Sequence, residues 1–322
     1  MEEITHKEKL TNQLEWNESY YFVFYDNKTK IGGMSRIGFK PNKQEGMTFF
    51  FLFLPNGSVA GYHQEIRIKE FIDQIKVKGM YHDWQPDENW YFKFKGNMIF
   101  VQNSLDLPKV RENPKLIQKV EKVEMNLFYT PINEIYEYSK WMTPESLEIG
   151  KKSGDKHWEQ IGTVSGNLNI GKASYKIENV MSQRDHTYGV RDWTGVGDWL
   201  YYVVWFNKDL AINPAAIVTD DGRLSTGGFL YKQGRNIPLE NINIIDQQFE
   251  TDGILPICSE LELVDNEGNY YTLQGRVGKI IPVPFKDLQG NKSVLIQSFG
   301  EFKLNGIEGG YGTFETLRKI RK

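Results

Sequence analysis

The feature that most constrains the fold is a repeated pattern of short, aromatic-rich runs separated by turn residues. The segment 19–39 (SYYFVFYDNKTKIGGMSRIGF) holds two apolar runs around a polar turn, and the segment 47–63 (MTFFFLFLPNGSVAGYH) repeats that plan around Pro-Asn-Gly. Aromatic and β-branched runs favour strands, and Asn, Gly and Pro between them favour tight hairpins. The segment 89–101 alternates Tyr and Lys with Phe, as a strand with one buried face does. The pattern predicts antiparallel strands.

The strand pattern is interrupted in the segment 132–155, which lacks alternation and whose middle favours a helix or a connector. Beyond it, apolar runs resume around turns such as Asp-Asp-Gly, Asn-Glu-Gly and Glu-Gly-Gly. We therefore predict an all-β protein with two domains, residues 1–150 and 151–322. Repeated short strands at this spacing are typical of sandwiches and barrels.

Charge and hydropathy narrow the range of partners. The chain has 39 basic and 42 acidic residues, a net charge of -3, which argues against a general nucleic-acid-binding protein. Its longest apolar runs are about eight residues, well below the ~20 that a membrane helix needs. The first residues are polar and mixed in charge, without the apolar centre of a secretory signal. We expect a cytoplasmic protein with no nucleic-acid partner and no integral membrane segment.

The familiar cofactor motifs are absent from the sequence. It contains no dinucleotide-binding or phosphate-binding glycine loop, no HExxH metal motif and no GxSxG nucleophile motif. The five histidines are scattered, and none pairs with another at metal-ligand spacing. The sequence thus predicts neither a cofactor nor a metal.

The stretch QRDHTYGVRDW, residues 183–193, combines two Arg-Asp pairs with a histidine, a glycine and a tryptophan. In an extended strand, Arg184 and His186 would face one side and Asp185 the other. A carboxylic acid whose pKa is raised by burial can donate a proton, and a histidine can relay one. The alternative is structural, because buried Arg-Asp pairs can satisfy each other and fix a junction between two β domains.

The spacing of RDH followed by G-x-RDW resembles the signature of tandem lipocalin-like proteins. That superfamily contains the bacterial carotenoid 1,2-hydratases (hydroxyneurosporene synthases), the AttH-like proteins and the lipocalin-like fungal Diels-Alderases. The segments 17–26, 157–171 and 308–317 are similar to other strands of that group. Thr187 and Tyr188 stand where the family commonly has Ser-Trp.

The resemblance implies two lipocalin-like antiparallel β-barrels or curved sandwiches packed side by side, with an apolar ligand cavity at or near their junction. A barrel of about eight strands can enclose one small ligand. Aromatic residues make up 14% of the chain and would suit the lining of such a cavity. The expected partner is an apolar small molecule such as an isoprenoid, a lipid or a polyketide-like compound. The sequence leaves the oligomeric state open.

Three functions are compatible with these residues. The first is a cofactor-independent enzyme that cyclises, hydrates or isomerises an apolar isoprenoid or terpenoid-like substrate by protonation and cation stabilisation. The second is a lipid or hydrophobe carrier without catalysis. The third, ranked lowest because the sequence offers no convincing carboxylate pair, is a carbohydrate-active β protein that stacks sugars on Trp84, Trp90 and Trp141. For the enzyme, the candidate catalytic residues are Asp185, His186, Asp192 and Glu159, and the candidate substrate-binding residues are Arg184, Tyr188, Arg191, Trp193 and Trp199.

Overall fold

The structure, a computed structural model, describes residues 5–68 and 74–321. These residues form mostly antiparallel strands, which confirms the predicted all-β fold class. They divide into two compact units. The first unit is the described chain up to Ile135 together with Gly154–Arg191, and the second is Tyr136–Ser153 together with the described chain from Asp192 onward.

The strands, in chain order, are β1 (Trp16–Asp26), β2 (Ile31–Lys40), β3 (Glu45–Phe53), β4 (Val59–Arg67), β5 (Lys76–Val77), β6 (Met80–Trp84), β7 (Trp90–Val101), β8 (Lys119–Pro131), β9 (Tyr136–Glu137), β10 (Lys156–Ile170), β11 (Ala173–Val190), β12 (Asp198–Asn207), β13 (Leu210–Val218), β14 (Leu224–Lys232), β15 (Arg235–Phe249), β16 (Pro256–Asp265), β17 (Tyr270–Lys286), β18 (Lys292–Leu304) and β19 (Ile307–Lys319). The α-helix α1 spans Pro144–Gly150. Short 3-10 turns lie at Lys7–Lys9, Pro41–Lys43, Ser104–Lys109, Pro114–Leu116, Tyr138–Lys140 and Lys151–Ser153.

The first unit is an antiparallel sheet in the order β4-β3-β2-β1-β11-β10-β8-β7-β6-β5. Strand β4 also pairs with β7, from Val59 opposite Val101 to Gly61 opposite Ile99. This pairing closes the eight strands from β4 to β7 along that order into a ring. The ring encloses an aromatic core in which Phe22 stacks on Phe92 at 3.6 Å between ring centroids.

The pleat of β1 and β11 determines which polar side chains enter this core. The two strands are antiparallel, with Tyr20 opposite His186 and Phe22 opposite Arg184. Directly opposed residues share one face of a sheet, so His186 and Arg184 lie on the same face as the core aromatics. Asp185, between them, projects from the outer face of β11.

The second unit is a closed barrel of the eight strands β12 to β19 in chain order, with β12 pairing β19. Its interior is apolar and includes Tyr202, Phe302 and Phe314. Helix α1 begins where the Thr143 side chain accepts a hydrogen bond from the Ser146 backbone N–H. The interrupted stretch of the sequence thus contains the one α-helix of the described chain.

The compact units do not divide at residue 150, where the sequence pattern suggested a boundary. Strands β10 and β11 pair with β8 and β1, so residues 154–191 complete the ring of the first unit. The RDH motif therefore belongs to the first unit, and the RDW motif is divided between Arg191 and Asp192. Strand pairing between residues far apart in the sequence determines the division into units, and the composition along the chain does not reveal that pairing.

Closure of the second barrel depends on Gly312 in β19. Its φ angle is +152°, and a Cβ atom there would lie 1.8 Å from the Val203 carbonyl oxygen. We expect Gly312→Ala to lower the unfolding temperature of this unit and to reduce its free energy of unfolding by more than about 1 kcal/mol. The control is Gly309→Ala, where φ is +93° but a Cβ would meet nothing within 4 Å. Equal loss of stability in both variants, measured by thermal and urea unfolding, would contradict the role of the close approach.

Candidate functional site

A buried carboxylate with two histidines lies on the inner face of the first unit. Glu18 of β1 is 0% exposed, and its Oε1 atom lies 2.9 Å from His186 Nε2 and 2.7 Å from His6 Nδ1. The His6 backbone N–H also donates to both carboxylate oxygens, at 3.0 and 2.9 Å. The Tyr20 hydroxyl donates to Oε1 at 3.3 Å. Together these groups place a dense set of donors around one acid.

Aromatic rings surround this cluster. The His186 ring stacks on Tyr20 at 4.3 Å and lies 5.1 Å from the ring of Trp158. The His6 ring stacks on Trp158 at 5.5 Å and lies 4.6 Å from Tyr188. Burial among rings excludes water and strengthens each remaining electrostatic interaction. The cluster is therefore a polar centre in an apolar setting.

Glu18 is ionised at neutral pH. Burial by itself would raise its pKa, but hydrogen bonds from His186 and His6 outweigh that effect and hold the pKa below its ordinary value. A carboxylate only accepts hydrogen bonds, so His186 must carry its hydrogen on Nε2. In the neutral ring, Nδ1 is then a lone-pair acceptor, and it has no hydrogen-bond partner among the described residues. The arrangement is that of a carboxylate-oriented histidine base.

Arg184 lies on the same inner face but has a different setting. Its Nε and Nη2 atoms donate to Gln160 Oε1 at 3.0 and 2.6 Å, and its guanidinium carbon lies 5.0 Å from the Trp90 ring centroid. Gln160 in turn donates to the Asn133 carbonyl at 3.0 Å. The chain fixes the cation in place beside the aromatic core.

A second histidine and carboxylate cluster lies on the outer face of β10 and β11. His157 Nε2 is 2.9 Å from Glu159 Oε1 and 3.6 Å from Asp185 Oδ2. Gln183 donates to the other Glu159 oxygen at 2.6 Å. Burial would lower the pKa of His157, but the two carboxylates outweigh it and raise the pKa to about 9. His157 is thus an imidazolium held by two acids at neutral pH.

The RDW half of the motif forms a turn. The Arg191 N–H donates to the Glu15 carbonyl at 2.9 Å within the first unit. In the second unit, Asp192 Oδ1 accepts from the backbone N–H groups of Thr194 and Gly195, at 3.2 and 3.0 Å. An Asp that accepts from the residues two and three positions on fixes an Asx turn, which favours a structural role.

The remaining candidate tryptophans have diverse settings. Trp193 stacks on Phe285 at 4.6 Å, and Trp199 donates from Nε1 to Glu315 Oε1 at 3.1 Å. Of the three tryptophans considered for sugar stacking, Trp90 is 1% exposed and Trp141 is 53% exposed. Burial of Trp90 in the aromatic core removes it from any sugar-binding surface.

Six of the nine candidate residues belong to the first unit and three, Asp192, Trp193 and Trp199, to the second. His186, Arg184 and Tyr188 enter the core face of the first unit, while Asp185 and Glu159 lie on its outer face. Glu18 and His6 were not among the residues predicted from the sequence. Glu18 had a signal, because it alternates with Trp16, Tyr20 and Phe22 on one face of β1, which places an acid at a core position. His6 had no such signal, because an irregular polar stretch separates it from β1.

Among residues 5–68 and 74–321, two sets of side chains have the composition of metal ligands. They are His6, Glu18 and His186, and His157, Glu159 and Asp185; in each set the ligand atoms lie within 4.8 Å of one another. In the first set both histidine nitrogens approach the same carboxylate oxygen, at 2.7 and 2.9 Å. Ligands that share a tetrahedral zinc ion stand about 3.3 Å apart. The shorter contacts are those of hydrogen bonds.

The eight-stranded ring and the closed second barrel give the chain a tandem lipocalin-like fold. A family model described as a domain of unknown function, DUF7064, matches residues 1–320, and the chain belongs to that family.

Solved structures with the same fold agree with this assignment. An AttH-like protein from Nitrosomonas europaea has a TM-score of 0.64 and 11% identity, covering 97% of this chain and 95% of its own. CghA has a TM-score of 0.56 and 10% identity, covering 97% and 89%. Kievitone hydratase from Nectria haematococca has a TM-score of 0.55 and 8% identity, covering 96% and 92%. The resemblance to the lipocalin-like superfamily is thereby confirmed at the level of the fold. No curated protein matches the chain in sequence.

Within residues 5–68 and 74–321, no helix has the length and apolar character needed to cross a bilayer.

The His157 cluster predicts a pH dependence of stability. The pKa of His157 is raised to about 9 from 6.5. Its ion pairs therefore contribute fully to the free energy of unfolding below about pH 6.5, and this contribution is lost as the pH rises through 9. We expect the stability difference between wild type and His157→Gln to shrink over that interval. Urea unfolding at several pH values measures it, with His63→Gln as the control. A difference that stays constant from pH 6 to about pH 10 would contradict the ion-paired state.

Proposed function

We propose that the chain is a cofactor-independent enzyme that moves a proton on an apolar small molecule bound inside the first unit. His186 is the acid–base residue, and Glu18 orients it. The observation that carries the proposal is the state of the His186 ring. Its Nε2 is bonded to a buried carboxylate at 2.9 Å, while its Nδ1 lacks a hydrogen-bond partner in the described part of the chain.

The chemistry follows from that geometry. His186 Nδ1 takes a proton from an activated C–H or O–H group of the substrate, and the resulting imidazolium is stabilised by the Glu18 carboxylate. The same proton then returns to a different atom of the substrate, which gives an isomer. In a hydration, Nδ1 instead takes a proton from water while the hydroxide adds to an electrophilic carbon of the conjugated substrate, and the imidazolium then delivers that proton to the neighbouring carbanionic carbon. The reverse sequence is elimination of water.

The ionised state of Glu18 argues against protonation of an isolated alkene. That step needs a neutral, strongly acidic carboxyl group in a dry pocket, and hydrogen bonds hold the pKa of Glu18 below its ordinary value. Asp185, the acid of the RDH motif, is on the outer face of β11, away from this interior. A conjugated substrate, in which the proton removed is acidified by a carbonyl or an extended π system, fits a histidine base better.

Aromatic side chains give the site its preference for an apolar substrate. Trp158, Tyr188 and Tyr20 border the histidines, and Trp16 packs with Trp158 and Tyr188 in a small buried cluster. Ring faces also stabilise developing positive charge. Arg184, fixed beside Trp90, would complement negative charge that develops on a substrate oxygen.

The relatives in fold support small-molecule chemistry as a class. One is named as a hydratase of kievitone, and CghA has also been solved with the small molecule Sch210972, with a TM-score of 0.54 to this chain. With identities at or below 11%, these relatives carry the fold alone, so their names serve here only to select test compounds.

The proton transfer can be tested without knowledge of the natural substrate. The probe is 5-nitrobenzisoxazole, an apolar ring that opens when a base removes its C–H proton. We expect the wild type to open it at least about 100-fold faster than His186→Gln, which is the usual contribution of a positioned general base. Glu18→Gln should lose most of the rate as well, because it no longer stabilises the imidazolium. Absorbance of the released phenolate measures the rate.

Asp192→Asn is the matched control, because the Asx turn tolerates an amide oxygen and the residue lies outside the first unit. It should keep the wild-type rate. Kievitone and an acyclic carotenoid, incubated in heavy water and followed by mass spectrometry, then search for hydration and isotope uptake. Equal rates in wild type and His186→Gln, with an unmodified lipid co-purifying, would favour the carrier function instead.

A further inference from the structure

The segment before β1 inserts one side chain into the polar centre. His6 is 7% exposed, whereas residues 7–14, which connect it to β1, are all exposed. A buried histidine at the end of an exposed stretch does not serve to pack that stretch. It contacts Glu18 and Trp158 instead, so its side chain occupies part of the polar centre.

His6 contacts the site as a ligand would. Its backbone N–H reaches both oxygens of Glu18 and its ring nitrogen reaches one of them, so the carboxylate accepts from two neighbouring donors of one residue. Its ring lies nearly parallel to Trp158, with an interplanar angle of 13°, and against Tyr188 and His186. A flat ring with adjacent N–H donors is thus the shape and chemistry that this part of the site accommodates.

The segment before β1 is attached to the rest of the first unit by residues 11–15, which follow His6 in the chain. Asn42 donates from its side chain to the Thr11 and Gln13 carbonyls, each at 2.7 Å. Glu15 forms ion pairs with Lys40 and Lys43. These bonds hold residues 11–15 in place, so His6 can leave the site while the segment stays attached at its base.

We propose that His6 occupies a ligand subsite of the first unit, and that a flat ring carrying adjacent N–H or O–H donors displaces it to bind Glu18 among the aromatic rings. This inference rests on the proposed function for its account of Glu18 and His186. It adds the class of ligand group recognised there and the means by which the subsite is kept filled between ligands.

The class of ligand follows from the hydrogen-bond donors that Glu18 loses when His6 is displaced. Without His6, the buried carboxylate loses three donor contacts, and a buried charge without donors is strongly unfavourable. A ligand must therefore restore donors to Glu18. Phenols, N-heteroaromatic rings and amidines do so, whereas a carboxylate-bearing ring would meet a like charge.

The test uses the full chain and three flat probes, of which benzamidine and benzoate are matched in size. These are 4-methylimidazole, which copies the histidine side chain, benzamidine, which has two adjacent donors, and benzoate, which has none. We expect His6→Ala to bind 4-methylimidazole and benzamidine at least tenfold more tightly than the wild type by calorimetry. Benzoate should bind to neither. Unchanged affinity for both donor probes, or benzoate binding equal to that of benzamidine, would overturn the proposal.

Three variants separate this effect from general loosening of the fold. His63→Ala removes a histidine from the exposed side of β4 and should leave affinity at the wild-type level. His6→Phe keeps a ring in the subsite and should also bind no more tightly. The double variant H6A/E18Q should lose at least tenfold of the gained affinity, because the amide no longer offers a charged acceptor for two donors.

A measurement on the wild type covers the case in which His6→Ala does not fold. Saturating benzamidine should move the His6 ring proton resonances away from their shielded positions near Trp158 and leave those of His63 unchanged. No shift at His6 up to the solubility of the probe would refute displacement. If His186→Gln keeps the full rate with nitrobenzisoxazole while these binding results hold, the acid–base function fails and the subsite stands.

Discussion

The interaction on which the first unit depends is the burial of the Glu18 carboxylate inside a ring of aromatic strands. An ionised acid without water costs several kcal/mol unless donors surround it. Here the donors are His186, Tyr20 and both the backbone and the ring of His6. Each of these is positioned by a different part of the chain, so one charge ties together β1, β11 and the segment before β1.

The same charge determines the state of its neighbours. Because Glu18 only accepts, the hydrogen of His186 is fixed on Nε2, and Nδ1 is left as the basic atom. The pleat of β11 then separates the RDH residues. His186 and Arg184 face the core, and Asp185 joins Glu159 around His157 on the other face. One short motif thus serves two environments, with a base inside and an ion-paired imidazolium outside.

Much of the fold could be predicted from the sequence, because hairpin patterns and alternation are local properties. The resemblance carried by RDH and RDW correctly indicated the lipocalin-like class. The division into units was not local, since β11 closes the first ring by pairing with β1 about 160 positions earlier, a pairing set by tertiary context. The site was predictable in part. His186 and Arg184 followed from strand alternation, but the turn that Asp192 makes depends on backbone geometry, and His6 reaches Glu18 only after the chain has folded.

Binding and chemistry at this site share one group, and this has a consequence for the order of events. A ligand takes the place of His6 at the Glu18 oxygens, whereas His186 donates to Oε1 from β11, a strand held by its pairing with β1 and β10. Exchange of His6 for a donor-bearing ring therefore leaves the orientation of the base intact and brings the ligand against His186. A ligand that restores the donors keeps Glu18 ionised, and an ionised Glu18 is what stabilises the protonated histidine. The group that recognises the ligand thereby also prepares the base that acts on it.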